Sequence, residues 1–255
     1  MTTFETNALE LKDLCKSYPG FSLDHLNLTL PSGCILGLIG ENGAGKTTAI
    51  KLILDIIRKD SGTIRILGKD CSTETSIPKE EIGVVMDEVG FPECLTPTQI
   101  GLIMKDSFNN WDSSLYSQYL QTFHLPEKKE FGQFSKGMKM KLGIAVALSH
   151  HPKLLILDEA TAFADPDNEQ KVQKAFENLS KDKTVIMIAH RLSTVTNADR
   201  IYVLKDGAIA EEGSHGELLK SHGIYAHMWE EYNKSVNWKV GGLSLIHISE
   251  PTRPY

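Results

Sequence analysis

No stretch of this 255-residue chain approaches the roughly 20 consecutive apolar residues that a membrane-spanning helix needs. Any membrane role must therefore come through a partner. Cysteine is scarce: Cys15, Cys34, Cys71 and Cys94 lie far apart with no C-x-x-C spacing. That pattern fits reduced thiols better than a zinc framework or disulfides. A basic excess is also lacking, with 27 Lys and Arg against 33 Asp and Glu and a net charge of −6. This argues against a nucleic-acid surface. Met1 to Thr6 has neither a basic start nor an apolar run, so no secretory leader is expected. Internal repeats, low-complexity tracts and long coiled-coil heptads are missing too. What remains is ordinary globular composition, 41% hydrophobic and 24% charged. The length suits one large α/β domain or two modest ones.

What the chain does have is Gly40-Glu41-Asn42-Gly43-Ala44-Gly45-Lys46-Thr47-Thr48, which reads G-x-x-x-x-G-K-T. An apolar run, Cys34 to Ile39, precedes it and another, Ala49 to Leu54, follows. Strand, loop and helix in that order form a phosphate cradle. Glycines let the backbone wrap an anion, and the N–H groups at the helix start face it with partial positive charge. Lys46 then reaches the terminal phosphates, and the Thr47 hydroxyl is a ligand for the Mg²⁺ that travels with them.

The remaining chain supplies a frame for this loop. Leu9 to Leu30 alternates apolar and polar residues around a turn at Tyr18-Pro19-Gly20, the pattern of a strand pair at a sheet edge. Tyr18 is read either as a ring for a nucleobase or as a turn tyrosine packed on its neighbours. Asp60-Ser61-Gly62 turns into a short strand, Thr63 to Leu67. Ile82 to Met86 is a buried strand that ends at Asp87. From about residue 95 to 150 the pattern becomes helical, opening at Thr96-Pro97 and closing with Phe134-Ser135-Lys136-Gly137-Met138 and a helical run to Leu148. Taken alone, Ser135 is a helix cap. Leu154-Leu155-Ile156-Leu157 closes on Asp158-Glu159, and Thr184 to Ala189 closes on His190. Both have the form of buried parallel strands whose carboxyl ends open into a site. Alone, the acidic pair reads as a solvated strand end, and His190 as an ordinary histidine in that position. A hairpin turns at Asp206-Gly207, and helical sequence follows from Glu217 to about Tyr232.

As an ordered set, these motifs resemble the nucleotide-binding subunit of ABC transporters over roughly Leu9 to Tyr232. The resemblance implies a P-loop NTPase of RecA-like α/β architecture, with an antiparallel β subdomain and a helical signature subdomain. It implies ATP and Mg²⁺ as cofactors, held by Tyr18, Gly40, Asn42, Gly43, Ala44, Gly45, Lys46, Thr47 and Thr48. Asp158 would hold the metal and Glu159 would activate the attacking water. His190 would donate to the γ-phosphate, and Lys46 would share in stabilising the developing charge. A second ATPase subunit would pack head to tail, its Ser135 and Gly137 touching this copy's ATP, with Asp165 linking the two sites. Transmembrane subunits would be the other partners, placing the protein at the cytoplasmic face of the cell membrane. Two positions depart from the family pattern. The signature reads F-S-K-G-M in place of L-S-G-G-Q, and Asp87 stands where many members have glutamine. A carboxylate there can bind metal directly or through water but cannot donate to phosphate, so a slow or non-hydrolysing ATP-dependent switch is the alternative reading.

The two parts of the chain resemble different branches of the family. Up to Glu159 it is similar to free-standing ABC-2-type exporter ATPases. From about Ala160, the runs Ala160-Thr161-Ala162-Phe163-Ala164-Asp165-Pro166 and Ala189-His190-Arg191-Leu192-Ser193-Thr194 are similar to exporters whose ATPase is fused to a membrane domain. A joined gene is the expectation. The stretch Leu243 to Arg253 resembles the translation of a transposase-based sequencing adaptor, so residues 1–242 are expected to form the ATP-binding domain and residues 243–255 a non-native, loosely held tail.

Overall fold

Short runs that are apolar at nearly every position build the central sheet. The computed structural model describes residues 7–71, 77–86, 89–158, 183–188 and 192–241. Among them β3 (Ile35–Gly40), β6 (Ile82–Val85), β7 (Leu154–Asp158), β8 (Thr184–Ile188) and β9 (Arg200–Lys205) are parallel, and β10 (Ala208–Gly213) closes one edge antiparallel to β9. The strand order is β10-β9-β3-β8-β7-β6. Every residue of β7 and β8 is buried, as expected of strands covered on both faces.

Alternation assigns the two faces. Leu154, Ile156, Ile186 and Ile188 point into a core shared with α1 (Lys46–Ile53) and the second sheet. Leu155, Leu157, Val185 and Met187 point the other way, into a core made with the helical insert. That insert comprises α2 (Pro97–Ser107), α3 (Ser113–Thr122) and α4 (Lys136–Leu148). Thr96 starts α2 with a reciprocal cap: its hydroxyl accepts from the Gln99 N–H while the Gln99 side chain accepts from the Thr96 N–H. Such a cap is worth about 1 kcal/mol.

The second sheet is antiparallel, ordered β2-β1-β4-β5, from β1 (Asn7–Tyr18), β2 (Phe21–Pro31), β4 (Ser61–Ile66) and β5 (Lys69–Asp70). As expected from sequence, β1 and β2 form a pair, with β2 at the edge. The core leucines of β2 are Leu23, Leu26, Leu28 and Leu30, a spacing that breaks period two once. A bulge repairs it: Leu14 pairs with Leu26 and Lys16 with Leu23, so Cys15 alone faces both Asp24 and His25. One step along, Leu11 pairs with Leu28, and the extra residue lies on β1 at Asp13. The extra residues return every leucine to the core face.

Two expectations are corrected. The strand read as Thr63 to Leu67 runs Ser61–Ile66, because Leu67 takes φ 50 and begins a turn. The helical stretch read over Glu217 to about Tyr232 starts earlier, runs further and divides into two helices, α5 (His215–Lys220) and α6 (Ile224–Gly241). The break is held from outside: the Glu211 carboxylate on β10 accepts from the Ile224 N–H (2.5 Å) and the Tyr225 N–H (3.0 Å). A carboxylate at the start of α6 satisfies N–H groups that a continuous helix would have used internally.

His150 fixes the helical insert to β6. It is 2% exposed, its Nε2 bonds the Ile82 carbonyl at 3.1 Å, and its ring stacks on Phe108 at 4.3 Å. Burial pushes its pKa below the usual value, against the opposing pull of the Ile82 carbonyl and of Glu80. Below about pH 6.5 the unfolded chain therefore binds a proton that the folded chain refuses. Stability should fall as pH drops from that value to the lowered native pKa. In urea titrations across this range, His150→Phe should remove part of the slope seen in the parent; an identical slope would show that His150 carries none of it.

Candidate functional site

Gly40 ends β3, and the chain turns through Glu41 to Gly45 before α1 begins at Lys46. Gly45 caps that helix at φ 109, where a Cβ would lie 2.9 Å from Phe21 Cζ and 3.0 Å from Leu23 Cδ1. A side chain here would both strain the backbone and push β2 away. No side chain caps α1, and its first turn has no acidic residue. The N–H groups of that turn thus face outward with the positive end of the helix dipole. Lys46 is 5% exposed, and its Nζ donates to the Gly40 carbonyl (2.8 Å) and the Glu41 carbonyl (3.0 Å). The loop is folded around its own cation, so positive charge is fixed at its base.

Outside the loop sits a cleft of about 620 Å³, lined by Gly20, Phe21, Asn42, Gly43, Gly45, Lys46, Thr47 and Thr48. A second hollow of about 510 Å³, lined by Ser17, Tyr18, Ser22 and Asp206 among others, shares Gly20, Phe21 and Gly43 with it. Tyr18 closes β1 and is 42% exposed, so its ring presents a face to solvent beside the phosphate cleft. The strand end behind it is anchored: Asp60 accepts from Lys16 Nζ and from the Ser17 N–H, both at 2.7 Å. Lys16 first, and the Ser17 N–H second, hold the Asp60 carboxyl below its ordinary range. Lys16 Nζ in turn lies 5.5 Å from the centre of the Tyr18 ring.

Asp158 is brought to the same end of the sheet. Leu38 on β3 pairs with Ile188 on β8, and Ile188 pairs with Asp158 on β7. Asp158 is therefore two strand spacings, roughly 10 Å, from β3, just below the level where the loop leaves Gly40. It is 6% exposed. The Thr47 hydroxyl and this carboxylate are hard oxygen donors, the type Mg²⁺ takes, and the amide nest with Lys46 suits the phosphates such an ion accompanies.

Ser135 and Gly137 lie elsewhere. Ser135 is exposed at the start of α4, with its Oγ accepting from the Met138 N–H at 3.3 Å. Neither residue lines the two hollows. Asp87, Glu159, Asp165, His190 and the tail 243–255 lie outside the described residues.

Sequence reasoning missed the brace behind the loop. Asp206 and Gly207 form the β9–β10 turn, at φ 49 and 81. The Gly207 N–H donates to the Ala44 carbonyl at 3.2 Å, and the Gly207 carbonyl accepts from the Asp24 N–H at 2.9 Å. The D-G turn was readable, but its reach to the loop was not, since more than 160 residues separate them.

A parallel sheet with a lysine-tipped amide nest and a buried carboxylate at its carboxyl end defines a P-loop nucleotide-binding domain. The family described as ABC transporter matches residues 23–162, and the chain belongs to that family as its ATP-binding, ATPase domain. It is 32% identical over 234 residues to an ATP-dependent lipid A-core flippase of Vibrio parahaemolyticus, covering 86% of this chain and 40% of the flippase. It is 36% identical over 249 residues to the leptomycin B resistance protein pmd1 of Schizosaccharomyces pombe, covering 87% of this chain and 18% of that protein. The fold matches a bacterial Atm1-family ABC exporter with ATP bound, with a TM-score of 0.76 at 28% identity, covering 89% of this chain and 42% of the exporter chain. The chain thus spans less than half the length of these relatives. Among the described residues no helix is long and apolar enough to cross a membrane.

Proposed function

We propose that this domain powers export by a membrane-embedded transporter, binding and hydrolysing ATP with Mg²⁺ at the cytoplasmic face of the cell membrane. One observation carries the reading: the phosphate loop and Asp158 share one sheet end, while Ser135 stands exposed and Gly137 half-buried at a helix start that lines neither hollow. A second copy, or a related ATPase subunit packed head to tail, would bring its Ser135 and Gly137 to this copy's ATP and complete the site. The similarity to exporters supports transmembrane partners, supplied on a separate chain or in a longer form of this one. Residues 1–242 are the proposed ATP-binding domain.

In this reading the loop amides and Lys46 bind the β- and γ-phosphates, and the Tyr18 ring stacks on the base. Thr47 and Asp158 hold the metal, which supplies charge neutralisation at the transferring phosphoryl group. Glu159 orients and deprotonates the attacking water, His190 donates to the γ-phosphate, and Asp165 connects the paired sites. Asp87 would be a further metal ligand with no N–H to offer the phosphate, which is expected to slow turnover relative to a glutamine.

Steady-state phosphate release and light scattering of the full chain test this together. ATP with Mg²⁺ should produce phosphate continuously and raise the scattering mass toward that of a dimer. Tight ATP binding with no phosphate release would replace the transport engine by a nucleotide-dependent switch. Reading one unbroken DNA molecule across the Asp158 codon addresses the two-branch origin, which an intact natural gene would exclude.

A further inference from the structure

The bulge that keeps β2 in phase also gathers three side chains of different chemistry. Cys15 lies opposite Asp24 and His25, and one ligand atom from each, the Cys15 sulfur, an Asp24 oxygen and a His25 ring nitrogen, lie within 4.8 Å of one another. Among the described residues this is the only such group of three. From these positions we infer that Cys15, Asp24 and His25 form a site for a borderline divalent transition ion, Zn²⁺ by preference, on the outer edge of the antiparallel sheet.

The donor set decides the ion. One thiolate, one imidazole and one carboxylate suit a tetrahedral Zn²⁺ with water in the fourth position, whereas Mg²⁺ and Ca²⁺ favour all-oxygen shells. The second layer is in place. The His25 backbone N–H donates to the Cys15 sulfur at 3.3 Å, a contact that stabilises negative charge on a bound thiolate. The His25 ring nitrogen Nδ1 lies 2.7 Å from Asp24 Oδ1, a contact between two of the ligands that already brings imidazole and carboxylate together. Both bulges are pinned by one amide: Asn27 Oδ1 accepts from the Asp13 N–H (3.0 Å), and its Nδ2 donates to the His25 carbonyl (2.9 Å) and to Asp13 Oδ1 (3.2 Å). Asp13 and His25 sit at φ 48 and 43, so the three ligands depend on backbone that Asn27 holds in place.

Asp24 and His25 are exposed, giving an ion a direct path from solvent. Binding would send the Cys15 thiol proton to solvent as the S–metal bond forms, so affinity should rise with pH. The Asp24 N–H also donates to the Gly207 carbonyl, whose N–H holds the phosphate loop, so the ion would sit one hydrogen-bonded turn from the nucleotide loop.

Titrating the reduced, tag-free full chain with Co²⁺, without nucleotide and near neutral pH, tests the site. Co²⁺ should produce a thiolate-to-cobalt charge-transfer band in the near ultraviolet, saturating at a single equivalent, and Zn²⁺ should abolish it. Cys15→Ser should eliminate the band while Cys94→Ser leaves it. His25→Ala and Asp24→Asn, at solvent-facing positions, should retain the parent circular dichroism and weaken Co²⁺ binding about tenfold or more. No band on folded parent chain, or a band that survives Cys15→Ser, overturns the inference. Nucleotide plays no part in this readout, so its failure leaves the ATPase assignment standing.

Discussion

Lys46→Ala should lower kcat/KM for ATP by at least about a hundredfold, the cost of removing one preorganised donor from a charge-stabilising site. The ammonium sits 5% exposed at the loop base, bonded to the Gly40 and Glu41 carbonyls. Deletion removes both the charge that meets the phosphates and the pin that holds the loop's shape. Binding of a fluorescent ATP analogue should weaken along with turnover. The fold should survive: losing two such hydrogen bonds costs about 1–3 kcal/mol, several degrees in melting temperature for a chain of this size. Glu159→Gln should do the reverse, retaining nucleotide while phosphate release falls roughly 10²- to 10⁴-fold. This split separates binding from chemistry. Full phosphate release by Lys46→Ala would mean that the turnover belongs to another protein in the preparation.

What was legible in the sequence follows from how local each signal is. β7 and β8 could be read because strands covered on both faces keep their polar residues, Asp158 and Thr184, at the strand ends. The phosphate loop could be read because its residues are consecutive and each has a separate physical task. The cap that Ser135 makes was legible beside its proposed role at a partner's ATP, since a hydroxyl accepting from an N–H three residues on is a local bond. The break between α5 and α6 was hidden, because the carboxylate that enforces it comes from β10; Gly223 was the one signal available, being the only glycine in the expected helix. The bulge at Asp24-His25 was legible in principle from the leucine spacing 23, 26, 28, 30. Which side chain of β1 it would face was not, because that is set by the register of the pair. Likewise, Asp158 joins the loop only through the pairing of Leu38, Ile188 and Asp158 across three strands, a relation absent from any one segment.

Gly207→Val should destabilise the domain by on the order of 3 kcal/mol and weaken ATP binding although Gly207 makes no contact that a nucleotide needs. Two costs add. At φ 81 a β-branched residue is strained, and a Cβ at this position would run into the Ser22 carbonyl oxygen. Backbone on both sides must then shift, and that backbone carries the Gly207 N–H to the Ala44 carbonyl and the Asp24 N–H to the Gly207 carbonyl. The melting temperature should fall by roughly 10 °C. Gly43→Ala is the comparison: Gly43 has φ 84, but a Cβ there meets nothing within 4 Å, so about 1 kcal/mol of backbone cost is expected. If both variants lose the same stability, the collision with β2 contributes nothing. A Gly207→Val protein that melts low yet binds ATP with parent affinity would show that the loop keeps its shape without the turn, leaving Lys46 as its main internal support.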